Sequence, residues 1–397
     1  MAWRRIDVDL WGCSAEGAVV PMPADRDVSG PRPRRRPPEM RVRVVARKVA
    51  DMLQTIDGQA QRAERTVPTA TERADIGSTF WHAMRTFETI DRRVDASQRA
   101  RCAAAARQLL HPWLLRSDHW SRSYLKPYGY AGDFRTLERI YELERDPCSD
   151  PTKPVAVNLA DYLYRTVDSV HALWHRRRWY AELVSELLAT RDTRRPVRIL
   201  DLACGGSRHM RDVLGNETAD GSVELTFLDP DPAALTFIRS WLPSHLRAGT
   251  RFICAPVRDA RRLVLGGASE TFPGFDLVIS TGACDYLGPV AARELLLEMT
   301  RLSRSGGLVA VSNFAPEDGS RIVKDWIVQW PLTYRRVSAL RELVPEGNSV
   351  GFDRSPDGGL LHALVSVGSR PRFESGTHPT SVARKLEARG GSASATT

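Results

Sequence analysis

The run Arg198-Ile199-Leu200-Asp201-Leu202-Ala203-Cys204-Gly205-Gly206-Ser207 takes an apolar strand into a turn of small residues. Such a turn lets a ligand approach the backbone closely, because larger side chains would collide with it. Asp201, Ala203, Gly205 and Gly206 are therefore candidate cofactor-binding residues. A second carboxylate, Asp229, ends the next apolar run, Phe227-Leu228, 28 positions after Asp201. There it could accept hydrogen bonds from both hydroxyls of a ribose. It could also cap a helix, since Asp231 and Pro232 follow.

Elements that would position these residues alternate in type. Val197 to Leu202, Val223 to Leu228, Arg251 to Cys254, Phe275 to Ser280 and Gly307 to Asn313 read as short apolar strands, most of them separated by segments of helical composition. Such alternation predicts parallel pairing through crossover helices. Residues 349–354 and 360–367 flank Ser355-Pro356-Asp357-Gly358-Gly359 and read as a closing hairpin. Before Arg195 the pattern is helical. Val42, Val45, Val49, Met52, Leu53 and Ile56 fall at helical spacing, and further helices are expected over 79–91, 96–110 (capped by Asp95), 134–145 and 159–190. The expected architecture is α/β, with a helical domain over 41–192 and a Rossmann-like sheet domain over 193–368.

Residues 21–38 hold six prolines around an arginine cluster, and the chain from Gly376 on is poor in apolar side chains. Segments 1–40 and 369–397 therefore read as disordered tails. Much of the formal net charge of +9 sits in the ends: residues 1–50 carry eleven Lys/Arg against six Asp/Glu, and residues 370–397 five against two. The nearly neutral middle argues against nucleic acid as a partner and for a small or acyl substrate. No apolar run approaches the ~20 residues of a membrane span. With no signal-peptide pattern either, a cytoplasmic protein is expected. The six cysteines are scattered singly, so neither a disulfide framework nor a metal site is expected, and no oligomeric state is implied.

The Asp201 to Ser207 loop resembles motif I of class I S-adenosylmethionine-dependent methyltransferases, with Ala203 and Ser207 standing where glycines are commoner. A parallel sheet ending in an antiparallel hairpin is the arrangement of that class. Lys126-Pro127-Tyr128-Gly129-Tyr130-Ala131-Gly132-Asp133-Phe134, followed by Ile140-Tyr141, resembles the KPxGYAGD(Y/F) signature of a bacterial group within it, the 3-hydroxypalmitic acid methyl ester biosynthesis proteins. Phe275-Asp276-Leu277-Val278-Ile279-Ser280-Thr281-Gly282-Ala283-Cys284-Asp285-Tyr286-Leu287 is similar to that group's FDLIYSxGxxDYL. Ser312-Asn313-Phe314 and Trp330-Pro331-Leu332-Thr333-Tyr334-Arg335 are similar to its NF and W-x-L-x-YR elements, so the likeness spans about residues 120–368. It implies an enzyme that binds S-adenosylmethionine through Asp201, the small-residue turn, Asp229, Ser280 and Thr281, with Asp259 at the adenine. It also implies methylation of a carboxylate on a hydroxylated fatty acid.

A sulfonium methyl is already activated, so aligning the acceptor and excluding water are the main tasks. A carboxylate acceptor needs no base. An amine or hydroxyl would need one, for which Asp285, Tyr130 and Asp133 are candidates. Asp285 could instead cap the following helix. Tyr128, Tyr130 and Asp133 lie in a glycine-containing loop that suits a lid over the cofactor, or a plain structural turn. Tyr286, Asn313, Tyr334 and Arg335 could line an acceptor pocket, although Asn313 could serve its own loop backbone instead. Arg176, Arg177 and Arg178 could bind a carboxylate, but they point around a helix, so at most one or two could face a site, and they read as solvated charge. Two other readings stay open: intramolecular cyclisation of S-adenosylmethionine to a small cyclic amino acid, and a cofactor-binding protein without catalysis.

Overall fold

The structure, a computed structural model, describes residues 37–190, 194–215, 223–266 and 272–368. The expected tails therefore lie outside the described residues, apart from the end of the first, where Pro38 opens a helix. Before the sheet come α1 (Pro38–Arg62), α2 (Ala70–Asp91), α3 (Ala96–Leu114), α4 (Asp118–Leu125), α5 (Phe134–Glu142), α6 (Val155–Arg165) and α7 (Asp168–Ala189). Then follow β1 (Val197–Leu202), α8 (Arg208–Leu214), β2 (Val223–Asp229), α9 (Pro232–Trp241), α10 (Ser244–Arg247), β3 (Arg251–Cys254), α11 (Ala260–Leu265) and β4 (Phe275–Ser280). The chain ends its regular structure with α12 (Pro289–Leu302), β5 (Ser303–Phe314), α13 (Val337–Glu342), β6 (Ser349–Arg354) and β7 (Leu360–Ser366).

Two compact units result. The first takes residues up to Ala131 with Leu143–Val167 and Ser320–Pro331; the second takes Gly132–Glu142, Asp168–Gly319 and the chain from Leu332. In the first, α2 and α3 start at capping boxes, Thr69 with Glu72 and Asp95 with Gln98, which satisfy backbone N–H groups that a helix start leaves open. Val49, Leu53, Phe80, Phe87, Leu110, Trp120 and Leu159 form its buried interior. Trp326, from the returning segment, stacks on Phe87 at 5.5 Å between ring centroids and donates Nε1–H to Asp91 at 2.9 Å.

The second unit is built on a seven-stranded sheet in the order β3-β2-β1-β4-β5-β7-β6. β1 to β5 pair in parallel and β7 is antiparallel to both neighbours, so the expected Rossmann-like α/β sheet with a closing hairpin is what forms. One face carries α7: Trp179, Tyr180, Leu183 and Val184 pack with Ile199, Phe227, Ile279 and Ala310. Strand order reverses between β1 and β4, the position at which ligands bind beyond the carboxyl ends of strands in open parallel sheets.

Two boundaries differ from the sequence reading. The single helix expected over 159–190 is two, because Thr166 turns its hydroxyl back to the Leu163 carbonyl and closes α6. The domain border expected at 192/193 also shifts, since α5 and α7 belong to the sheet unit and Ser320–Pro331 to the helical one. Helical periodicity reports an apolar face but not the partner that covers it.

Candidate functional site

The turn after β1 uses left-handed backbone at alternate positions: φ is 49° at Ala203, 52° at Gly205 and 47° at Ser207. Glycine takes this conformation freely, whereas Ala203 and Ser207 adopt it with strain. Ser207 has a compensating contact, because its hydroxyl donates to Asp201 Oδ2 at 2.6 Å. Asp201 is 1% exposed, and His209 Nε2 lies 3.3 Å from the same oxygen. The other oxygen, Asp201 Oδ1, is buried without a hydrogen-bond partner.

Asp229 does not cap α9. That role falls to Asp231, which accepts from Ala233 N at 2.8 Å. Asp229 instead accepts from Gly205 N through Oδ2 and from Asp231 N through Oδ1, both at 2.8 Å. Burial pushes its carboxyl up to about 6. Each oxygen keeps a further lone pair for a ligand hydroxyl.

Two helices wall the turn. A Cβ on Gly205 would stand 3.4 Å from Phe134 Cβ, and one on Gly206 would stand 3.1 Å from both Glu138 Oε1 and Phe237 Cε1, so glycine is what allows α5 and α9 this close. Glu138 accepts from Arg208 Nη1 at 2.5 Å, and burial raises its carboxyl above the usual range. Asp133 starts α5: Oδ1 accepts from Arg135 N at 3.1 Å and Thr136 N at 3.0 Å, while Oδ2 accepts from the Thr136 hydroxyl at 2.6 Å. Asp133, expected as a candidate base, is thus placed as a buried helix cap. The sequence reading passed over Phe134 and Glu138, although their i, i+4 spacing behind that cap places both on one helix face.

At the ends of β4 and β5 the side chains brace one another. Asp285 is 2% exposed; Oδ1 accepts from Phe314 N at 2.7 Å and Oδ2 lies 3.8 Å from Arg176 Nη1. It does not cap α12, whose N-cap is Gly288. Asn313 donates to the Phe314 and Thr333 carbonyls at 2.9 and 2.7 Å and accepts from Arg335 Nη1 at 2.6 Å. Arg335 also reaches the carbonyls of Cys284 and Leu287, and burial lowers its pKa. Asn313 and Arg335, expected to line an acceptor pocket, are both buried and bond to groups of the protein. Ser280 Oγ, at the end of β4, is buried without a partner, and the Thr281 carbonyl accepts from Arg176 Nη1 at 3.1 Å. Arg176 is 4% exposed, so it is not the solvated charge expected.

No family model matches the chain, and no curated protein does. Among solved structures it is similar to a possible exported protein from Bordetella parapertussis, at 19% identity and a TM-score of 0.50, over 67% of this chain and 88% of that one. The likeness is one of fold. It is also similar to magnesium protoporphyrin IX methyltransferase from Synechocystis PCC 6803, at 12% identity and a TM-score of 0.37, over 49% of this chain and 84% of that one.

Asp259 ends the short turn Val257–Asp259 before α11, is partly exposed, and lies 3.4 Å from Arg262 Nη2. Tyr286 is 42% exposed and Tyr334 is partly buried. Tyr128, also 42% exposed, and the partly buried Tyr130 belong to the first unit, whereas Asp133 belongs to the second. Among the described residues no group of His, Cys, Asp or Glu is placed to hold a metal, and no helix is long and apolar enough to cross a membrane.

Proposed function

We propose that the chain is an S-adenosylmethionine-dependent methyltransferase acting on a carboxylate of a small or acyl molecule. The observation that carries this reading is Asp201 Oδ1, a buried carboxylate oxygen with no donor beside a left-handed turn at the strand-order reversal. Leaving such a group unmatched costs about 1–3 kcal/mol or more, so a ligand that brings a donor is favoured there. The α-ammonium of S-adenosylmethionine is such a donor, and Asp229 is fixed where ribose hydroxyls could be accepted. When bound, this cofactor supplies an electrophilic methyl group on sulfur.

The placement of two of the candidate bases supports a carboxylate acceptor. Asp133 caps a helix, and Asp285 accepts from Phe314 N–H and lies beside Arg176. A carboxylate acceptor needs neither, since it is already anionic near neutral pH. The residues then have to orient the acceptor and keep water out.

Full-length protein incubated with methyl-labelled S-adenosylmethionine and 3-hydroxypalmitate should give a labelled ester that releases labelled methanol in mild alkali. An alkali-stable label would overturn the carboxylate reading. No transfer, either to this acid or to a cell extract, would overturn methyl transfer itself.

A further inference from the structure

In the helical unit, three basic side chains converge on one short piece of backbone. Arg107, on α3, donates Nη1–H to the Trp326 carbonyl at 2.6 Å. One turn further along α3, His111 Nε2 donates to the Ile327 carbonyl at 3.0 Å. Lys126, just past α4, donates Nζ–H to the Val328 and Tyr124 carbonyls, both at 3.0 Å. Trp326, Ile327 and Val328 are successive residues at the end of the helical turn Val323–Ile327, and successive Cα atoms stand only about 3.8 Å apart. The same three side chains also gather around Tyr124. Its ring lies 4.3 Å from that of His111 and 5.9 Å from Lys126 Nζ, and its hydroxyl is within electrostatic reach of Arg107.

Capping the end of a helical turn accounts for these carbonyl bonds, yet a carbonyl carries only partial charge. The full charges of Arg107 and Lys126 stay uncompensated. Among the described residues neither is paired with a carboxylate, whereas on the same helix Arg99 pairs with Asp91 at 2.6 Å and Arg101 pairs with Glu39. Burial with no acid to counter it pulls the Lys126 ammonium down to about 8. The guanidinium of Arg107 has five N–H donors, and none of them is buried without a partner, so those not given to Trp326 reach solvent. Two half-buried cations and a tyrosine hydroxyl thus present donors to one another's neighbourhood with nothing anionic among them.

We propose that Arg107, Tyr124 and Lys126 form a binding site for an oxyanion, the carboxylate or phosphate group of a small molecule. Such a group is all acceptor, as the three side chains are all donor, and the planar fork of a guanidinium takes it through two parallel hydrogen bonds. Leu125, between Tyr124 and Lys126 in the chain, is exposed and offers apolar surface to a ligand that carries an acyl chain. The site uses none of the residues assigned to S-adenosylmethionine and stands whether or not that cofactor binds.

Lysine labelling tests it without reference to activity. Full-length protein is acetylated sparingly at pH 8, and the rate is read by mass spectrometry at its lysines, Lys48, Lys126, Lys153, Lys324 and Lys385. A bound anion holds Lys126 protonated and covers it. Inorganic phosphate or octanoate at saturation should therefore slow Lys126 at least threefold relative to chloride of equal ionic strength, and leave the exposed Lys48 unchanged. Octanol, with the same chain and no charge, should not protect. Protection by phosphate alone assigns the site to phosphate, and protection by octanoate alone assigns it to an acyl carboxylate. Arg107→Met, checked for folding by its thermal melt, should remove the protection, and Arg107→Lys should keep part of it. The site is overturned if neither anion slows Lys126 in wild type, a result that needs no variant to fold. It is equally overturned if octanol protects as well as octanoate, or if folded Arg107→Met is protected as wild type is.

Discussion

The N–H of Gly205 donates to Asp229 Oδ2 at 2.8 Å, so the carboxylate that ends β2 is held by the turn that ends β1. A ligand that spans the two strand ends meets one preassembled surface. Burial raises the pKa of this carboxylate to about 6, against the Asp231 and Gly205 N–H groups, which favour its ionised form.

That shift predicts a pH dependence. The raised pKa means that the folded, ligand-free protein holds this proton more tightly than the unfolded chain. The contribution of Asp229 to stability is therefore full below its unfolded value near 4 and is lost as pH rises through about 6. Ligand hydroxyls favour the ionised form, so affinity runs the opposite way. S-adenosylmethionine binding should be flat above pH 7 and weaken by up to about tenfold per unit below 6. Calorimetry across pH 5–8 checks this, and Asp229→Ala should abolish the step.

The two non-glycine left-handed residues predict opposite responses to glycine. Ala203→Gly should raise stability by about 0.5–1 kcal/mol, because strain at φ 49° is relieved. Ser207→Gly should bring no such gain, since it also removes the 2.6 Å hydrogen bond to Asp201. Denaturant unfolding of both variants measures the difference, and equal gains would contradict the account of Ser207.

If Asp133 is a cap rather than a base, its chemistry can be exchanged. Asp133→Asn, which can still accept at the helix start, should keep turnover within a few fold, whereas Asp133→Ala should lose about 1–2 kcal/mol of stability. Loss of turnover in a stable Asp133→Asn protein would return this residue to the chemistry.

Arg335→Met should destabilise by about 3 kcal/mol or more, because the Asn313 amide and the Cys284 and Leu287 carbonyls lose a buried donor together. A thermal melt close to that of wild type would argue that the cluster is more open than its burial indicates.

Much of the sheet was legible from sequence because short apolar runs ended in polar or small residues. β1, β3 and β4 match the expected spans, and β2 extends one residue further to include Asp229. β5 begins at Ser303 rather than Gly307, because Ser303-Arg304-Ser305-Gly306 carries no apolar signal although Ser303 pairs with Phe275 and Gly306 N bonds to Val367 O. The site was less legible. Asp201, Asp229 and the glycines are exposed to reading by their spacing along one strand-turn-strand stretch. Asp285, Asn313 and Arg335 are of types that serve ligands and structural braces equally, so residue type alone does not separate the two roles. Arg176 looked like one of three surface arginines, since nothing local in Arg176-Arg177-Arg178 says which face of α7 meets the sheet.

The central claim is that the β1 and β2 strand ends bind S-adenosylmethionine. Calorimetric titration of the full-length protein at pH 7.5 tests it most directly. The account predicts saturable one-to-one binding that Asp229→Ala weakens by about 2 kcal/mol or more in a protein that remains folded. Absence of saturable binding to wild type, or equal affinity in the folded Asp229→Ala variant, would contradict it.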